Sequence, residues 1–100
     1  MLTFFMLMNA TKAWLTLTPV EREQFIVAEV EPIFATSPSV RITFYDAEAF
    51  NGRCSDIAVF ESASIDDYMV VVDALRNSKL YTVPYFDIID IFPAKQANFI

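Results

Sequence analysis

The chain has 100 residues, 55% of them hydrophobic, and its 13 acidic and seven basic residues give a net charge of −6. This length corresponds to one domain, residues 1–100, and the acidic charge repels phosphate backbones, so we expect no nucleic-acid partner. The absence of histidine and the presence of only one glycine exclude Ser-His-Asp triads, the usual zinc sites and glycine-rich phosphate loops.

The first predicted strand covers residues 3–9. Its side chains are apolar on both faces, with Phe4, Met6 and Met8 on one face and Phe5 and Leu7 on the other. A strand with two apolar faces is typical of a sheet that is covered on both sides.

The same apolar run is too short to span a bilayer and lacks the basic residues of a signal peptide. Cys54 is the single cysteine, so an intramolecular disulfide is excluded. We therefore expect a cytoplasmic protein that does not associate with membranes.

A capping box at Thr18-Pro19-Val20-Glu21 predicts the start of the first helix. The Thr18 side chain can accept from the first turn, Pro19 occupies the first helical position, and Glu21 can reach back to the cap. The apolar spacing continues to Phe34, and Pro32 is expected to end or kink this helix.

Two strands, residues 40–47 and 56–61, are predicted to form a hairpin around Asn51-Gly52, a pair that favours a type I′ turn. In that register Phe44 lies opposite Val59 and Tyr45 opposite Ala58. A one-residue bulge near Cys54 would swap the two faces of the returning strand, so both arrangements remain open.

A second helix begins after Ser64, a candidate N-cap followed by acidic residues. Its apolar spacing is that of an amphipathic helix, and Arg76 and Lys79 are expected in its last turn. The final strand is predicted over residues 83–92, ended by Pro93, with Asp87 and Asp90 on opposite faces.

The predicted element order is βαββαβ, which indicates an α+β, ferredoxin-like fold with a four-stranded antiparallel sheet. Two helices can cover one face of such a sheet. The first and last strands are apolar on the other face as well, so we expect a second copy of the chain to cover it and form a homodimer.

Several segments resemble the darcynin family of small bacterial proteins. These segments are residues 9–15, Thr18 to Arg22, Tyr45 to Phe50, Arg53 to Asp56 and Tyr85 to Ile89. The resemblance implies a dimeric α/β barrel and no particular activity. The wider superfamily includes cofactor-free monooxygenases, haem enzymes and isomerase-like members, and the absence of histidine makes the haem enzymes a poor guide.

A ligand cavity is expected between the sheet and the helices. Its candidate ligand-binding residues are Asn9, Trp14, Arg41, Tyr45 and Tyr68. An aromatic wall with one arginine and one amide suits an anionic or phenolic small organic ligand. The alternatives are that the aromatic residues belong to the core and that Arg41 is ion-paired at the surface.

Three functional hypotheses remain open: a cofactor-free enzyme of the monooxygenase or isomerase type, a non-catalytic module that binds a ligand or another protein, and a purely structural dimer. No cofactor is predicted.

Two further groups allow more than one interpretation. Cys54 is either a thiol activated by Arg53 or a small packed side chain. An acidic cluster either binds a hard cation or is a solvated hairpin, and we predict no metal site; its members are Asp46, Glu48, Asp56 and Glu61.

Overall fold

The computed structural model describes residues 1–98 and places every helix along one face of a four-stranded antiparallel sheet. The elements are β1 (Leu2–Ala10), α1 (Lys12–Leu15), α2 (Pro19–Phe25), a π-helical turn (Ile26–Val30), α3 (Glu31–Thr36), β2 (Arg41–Asp46), β3 (Asp56–Ser62), α4 (Ile65–Arg76), α5 (Lys79–Thr82) and β4 (Phe86–Lys95). The strand order β2-β3-β1-β4 confirms the α+β, ferredoxin-like fold class.

The predicted capping box is present at the start of α2. The Thr18 hydroxyl accepts from the Glu21 backbone N–H at 3.2 Å, and the Glu21 carboxylate accepts from the Thr18 N–H at 2.8 Å. The Thr18 backbone N–H, and to a smaller extent the Thr18 side chain, hold the pKa of the Glu21 carboxyl group below its usual value. Hydrogen bonds between residues three apart therefore set the start of α2 at the position that the sequence predicts.

Helical structure continues past Pro32, so of the two expected effects of this residue, ending or kinking the helix, the first is wrong. The π-helical turn precedes it, where the Glu31 N–H donates to the Ile26 carbonyl, five residues back. A proline ring normally clashes with the carbonyl four residues earlier, and the wider π turn relieves this crowding. As a result α2, the π turn and α3 follow one another without a break to Thr36.

The second long helix also ends differently from the prediction. Ser64 caps α4 by accepting from the Asp67 N–H at 3.2 Å, as expected. The helix stops at Arg76, and Ser78 caps a separate short helix, α5, in which Lys79 is the first residue. Lys79 is thus not in the last turn of α4, because the Ser78 hydroxyl accepts from Leu80 and starts a new turn.

The β2–β3 register differs from that of a two-residue turn at Asn51-Gly52. Phe44 pairs with Ala58 and Tyr45 with Ile57, so the faces of β3 are swapped, as in the alternative with an extra residue near Cys54. The loop spans residues 47–55 and is tied to β1, where the Ser55 N–H donates to the Met8 carbonyl at 2.9 Å. Backbone pairing with β1, and not the Asn51-Gly52 dipeptide, therefore sets this register.

The last strand lies three residues later than predicted and runs through Pro93. Residues 83–85 precede it, and the Val83–Pro84 peptide bond is cis. Pro93 lies in β4, an edge strand, and pairs with Phe4 of β1. An edge strand tolerates a residue without a backbone N–H, so the proline does not end the pairing.

A β-bulge in β4 changes which face its acidic residues occupy. Leu7 pairs with Asp90 and the next residue, Met8, pairs with Ile88, so Ile89 is the extra residue. Strict alternation placed Asp87 and Asp90 on opposite faces. The bulge puts both on the face directed away from the helices.

The two faces of the sheet are unequal in the described chain. The helix-side face carries the core, in which Met6, Ala58 and Phe60 are fully buried. The opposite face, here called the outer sheet face, carries these apolar side chains: Phe5, Leu7, Tyr45, Ile57, Val59 and Phe92. No element within residues 1–98 covers it, and Phe5, Tyr45 and Phe92 remain 37%, 54% and 46% exposed.

Within residues 1–98, no helix combines the length and the apolar composition that crossing a bilayer requires.

Candidate functional site

A cavity of about 270 Å³ lies on the helix-side face of the sheet, beside the π-helical turn. Its lining residues are Met8, Trp14, Ile26, Val30, Phe44, Asp56, Leu80 and Phe86. Ligand pockets in proteins usually measure about 300–1,000 Å³, so this one suits a compact molecule. Its walls are almost entirely apolar.

Trp14 forms the wall contributed by α1. The Thr11 hydroxyl caps α1 by accepting from the Trp14 N–H at 3.4 Å and donates to the Pro84 carbonyl at 2.7 Å. The indole packs against three aromatic rings, with centroid distances of 6.0 Å to Phe25, 5.5 Å to Tyr85 and 5.0 Å to Phe86. These contacts fix the ring at the edge of the cavity.

Arg22 joins α2 to α1 behind this wall. Its guanidinium lies 5.6 Å from the Trp14 ring centroid, and it donates to the Trp14 and Leu15 carbonyls at 3.2 Å each. The two carbonyls belong to the end of α1, where helix acceptors lack partners within the helix. Arg22 therefore holds a short helix in place and supports its only tryptophan.

Met8 forms the floor of the cavity from β1. The Tyr81 hydroxyl lies 3.0 Å from the Met8 sulfur and 3.1 Å from the Met6 sulfur. Burial raises the pKa of Tyr81 well above its usual value, with a smaller opposing effect of Arg76. The phenol is thus neutral, and its single hydrogen lies within reach of both sulfur atoms.

Asp56 supplies the only charge among the lining side chains. It is the first residue of β3, is half-buried, and pairs directly with Asp46 of β2. Among residues 1–98, its carboxylate has neither a hydrogen-bond partner nor an ion-pair partner, since the one ion pair joins Arg41 to Glu61. The cavity therefore offers a ligand an unengaged negative charge beside apolar walls.

Of the five residues predicted to bind a ligand, Trp14 lines this cavity. Tyr68 lies instead in the core, stacked on Phe4 with ring centroids 3.7 Å apart and edge-to-face with Phe60 at 5.5 Å. Burial raises the pKa of Tyr68, and the charge of Arg76 lowers it by less. Its contacts are those of a packing residue.

The other three lie on the outer sheet face, so the structure does not bring them together with Trp14. Arg41 is exposed and sits 3.9 Å from Glu61, and Tyr45 is in the same strand. Asn9 donates from its side chain to the Arg53 carbonyl at 3.3 Å.

Sequence reasoning placed Asp56 in the acidic cluster and not in the cavity. One signal was available: Asp56 has the same parity as Ala58 and Phe60, whose side chains are buried under the helices. With a two-residue turn at Asn51-Gly52, Asp56, Ala58 and Phe60 would lie on the face of the hairpin opposite to Phe44.

The remaining candidates for chemistry are separated. Cys54 is buried in the loop after β2, outside the lining of the cavity. Asp46 and Asp56 share the helix-side face, whereas Glu61 lies on the outer sheet face. In the part of the chain described, no three acidic, cysteine or histidine side chains are grouped so as to hold a metal ion.

Comparison with known proteins identifies a family model that matches the whole chain and relatives that match most of it. A family model described as "Darcynin, domain of unknown function" matches residues 1–100. Darcynin 1 of Acinetobacter baumannii is 46% identical over 80 residues, which cover 80% of this chain and 89% of that protein. Darcynin of Chromobacterium violaceum is 49% identical over 70 residues, covering 70% and 89% respectively.

Solved structures share the fold at low sequence identity. A haem-binding protein from Thermus thermophilus matches with a TM-score of 0.78 and 17% identity over 92% of this chain. Chlorite dismutase from Candidatus Nitrospira defluvii, in complex with imidazole, matches with a TM-score of 0.76 and 15% identity over 96%. This chain spans 38% and 40% of those chains, and the likeness shows the fold alone.

The residues around the cavity do not fit a haem. Haem iron in proteins is held by histidine, cysteine, methionine or tyrosine. The sequence has no histidine, and the one such side chain that lines the cavity, Met8, already accepts the Tyr81 hydroxyl. The volume also corresponds to a much smaller ligand than a porphyrin.

Proposed function

The chain belongs to the darcynin family, and from that premise we propose that it is a homodimer whose cavity binds a compact small organic molecule. The observation that carries the proposal is the cavity itself, with seven apolar side chains and one carboxylate around about 270 Å³. Small-molecule sites have this make-up: apolar walls provide binding free energy and a few polar groups fix orientation. Of the five residues predicted from the sequence, Trp14 is the one we assign to this ligand.

A second candidate function is cofactor-free catalysis of the isomerase or monooxygenase type. The position of Asp56 favours it, because a carboxylate without an internal partner can accept a proton from a bound substrate. Catalysis and simple binding predict the same cavity, and only catalysis predicts turnover of the ligand.

The proposed homodimer forms through the outer sheet face. All helices pack on the other face, so large apolar side chains are left exposed here. A second copy is the occupant we propose, since two identical apolar faces can cover each other about a two-fold axis. Arg41 and Tyr45 then belong to the dimer contact. We also propose a cytoplasmic location, which is compatible with the free thiol of Cys54.

The binding proposal is tested by titrating 2-phenylethanol, a neutral single-ring probe, into isotope-labelled protein and following backbone amide signals. We expect the largest shifts at Met8, Val30 and Leu80, which line the cavity from three different elements. The variant Ile26→Phe places a larger side chain in the cavity and should abolish these shifts.

Val27→Phe is the matched control, because Val27 is the next residue of the π turn, is exposed, and does not line the cavity. This variant should bind the probe like the unmodified chain. Shifts spread over the surface, or equal loss of binding in both variants, would contradict the proposal.

A further inference from the structure

The charge inside the cavity points to a particular class of ligand. Asp56 is the only charged lining residue, and Trp14 and Met8 are the only other lining residues whose side chains contain a nitrogen, oxygen or sulfur atom. No lysine or arginine lines the cavity, and Asp46 places a second carboxylate directly opposite Asp56. The cavity is therefore electronegative, in a chain whose net charge is −6.

The arginine that contacts the Trp14 wall is not itself a lining residue of the cavity. Arg22 contacts the Trp14 ring from α2, but its Nε and Nη2 donate to the carbonyls at the end of α1. Arg41, the cation on which an anionic ligand was expected to depend, lies on the outer sheet face beside Glu61. An anionic ligand, which the sequence had suggested, would therefore find no arginine among the residues that line this cavity.

Aromatic rings form a large part of the wall. Trp14, Phe44 and Phe86 line the cavity together with Asp56. The faces of aromatic rings attract organic cations, and a carboxylate forms a charge-assisted hydrogen bond with an ammonium group. One small volume therefore combines the two kinds of group that recognise an amine.

We propose that the cavity selects a protonated primary amine carried on a compact apolar body, such as one aromatic ring with a short aliphatic arm. The ammonium group contacts Asp56, and the ring packs against Trp14 and Phe86. A carboxylate ligand is disfavoured because its charge would approach Asp56 in a half-buried site. This inference rests on the proposed small-molecule function and adds the class of ligand.

Three probes of similar size separate the inference from the function on which it rests. 2-Phenylethylamine, 2-phenylethanol and phenylacetate are each titrated and followed by backbone amide shifts. We expect the amine to bind at least about tenfold more tightly than the alcohol, a ratio that corresponds to about 1.4 kcal/mol. Phenylacetate should bind most weakly.

Asp56→Asn removes the charge with little change of shape, and no internal hydrogen bond of this carboxylate is lost. It should weaken the amine about tenfold and leave the alcohol nearly unchanged. Asp46→Asn is the matched control, since it removes the same charge from the paired position without lining the cavity. It should keep most of the preference for the amine.

Each other outcome has a distinct meaning. If none of the three probes binds in the cavity, the small-molecule function fails and this inference with it. If the alcohol binds and the amine binds no more tightly, the function stands and the amine inference is overturned. Equal loss of amine binding in Asp46→Asn and Asp56→Asn would also overturn it, because the preference would then reflect overall charge and not a contact.

Discussion

The hydroxyl of Tyr81 lies 3.0 Å from the sulfur of Met8. The contact connects α5, which contains Tyr81, to the floor of the cavity in β1, and the two residues are 73 positions apart in the sequence. It restrains a flexible thioether that lines the cavity.

Removing this hydroxyl should destabilise the fold slightly. Tyr81→Phe keeps the ring and deletes the donor to both thioethers, which are weak acceptors, so we expect a loss of about 0.5–1.5 kcal/mol in the free energy of unfolding. Urea denaturation followed by circular dichroism measures it. A variant as stable as the unmodified protein would show that these contacts contribute nothing.

Alkaline pH should reduce stability through the same residue. Burial raises the pKa of Tyr81, and in an unfolded chain tyrosine ionises near pH ~10. The raised folded-state pKa means that the stabilisation is fully present below that pH. It is lost as pH rises further, because the unfolded state then releases a proton that the folded state retains.

Denaturation series at increasing alkaline pH should therefore show a falling free energy of unfolding. The slope should be shallower in Tyr81→Phe, and shallower to a lesser degree in Tyr68→Phe, since burial also raises the pKa of Tyr68. Identical slopes in all three proteins would show that neither tyrosine has a raised pKa in the folded state.

Arg22→Met should loosen the wall that Trp14 forms. The substitution keeps an apolar stem and deletes the donors to the Trp14 and Leu15 carbonyls, at a cost of about 1–2 kcal/mol. Because Trp14 is the only tryptophan, a shift of its fluorescence emission to longer wavelength reports the loosening. Arg53→Met, in the exposed loop, is the control and should leave the emission unchanged.

Thr18→Ala should cost about 1 kcal/mol, the usual contribution of an N-cap hydroxyl. The hydroxyl accepts from the Glu21 N–H, and alanine leaves that donor to water. Thermal denaturation compares it with Thr82→Ala, an exposed threonine at the end of α5. Equal effects of the two substitutions would mean that the capping box is not stabilising.

Val59→Lys should convert the proposed dimer into monomers. Val59 pairs with Phe5 on one side and Thr43 on the other, near the middle of the outer sheet face. A lysine there would bury an unpaired charge between two copies, at a cost of several kcal/mol. Sedimentation velocity measures the change, and Val20→Lys, at an exposed position of α2, should remain dimeric.

The dimer proposal fails on either of two results. One is an unmodified chain that sediments as a monomer at every accessible concentration. The other is a folded Val59→Lys variant that sediments like the unmodified dimer.

One of the five residues predicted from the sequence to bind a ligand lines the cavity. Trp14 was placed at a cavity between sheet and helices, and the structure has such a cavity with Trp14 in its wall. Asn9, Arg41 and Tyr45 were assigned to the same site, but they lie on the outer sheet face. The register between β2 and β3 differs by one residue from the predicted one, so Asp56 lies on the helix side. A ligand in the cavity therefore meets a negative charge instead of the expected arginine.

Features that depend on near neighbours could be predicted from the residues alone: the caps at Thr18 and Ser64, the apolar parity of β1, and the order of strands and helices. Tertiary structure decided the bulge at Ile89, the pairing of Pro93 and the register of the loop over residues 47–55. The physical reason is range. A cap is a hydrogen bond between residues three apart. A register is set by backbone pairing with a distant strand, here 47 positions apart for Met8 and Ser55 and 89 for Phe4 and Pro93, and a shift of one residue exchanges every side chain between the two faces.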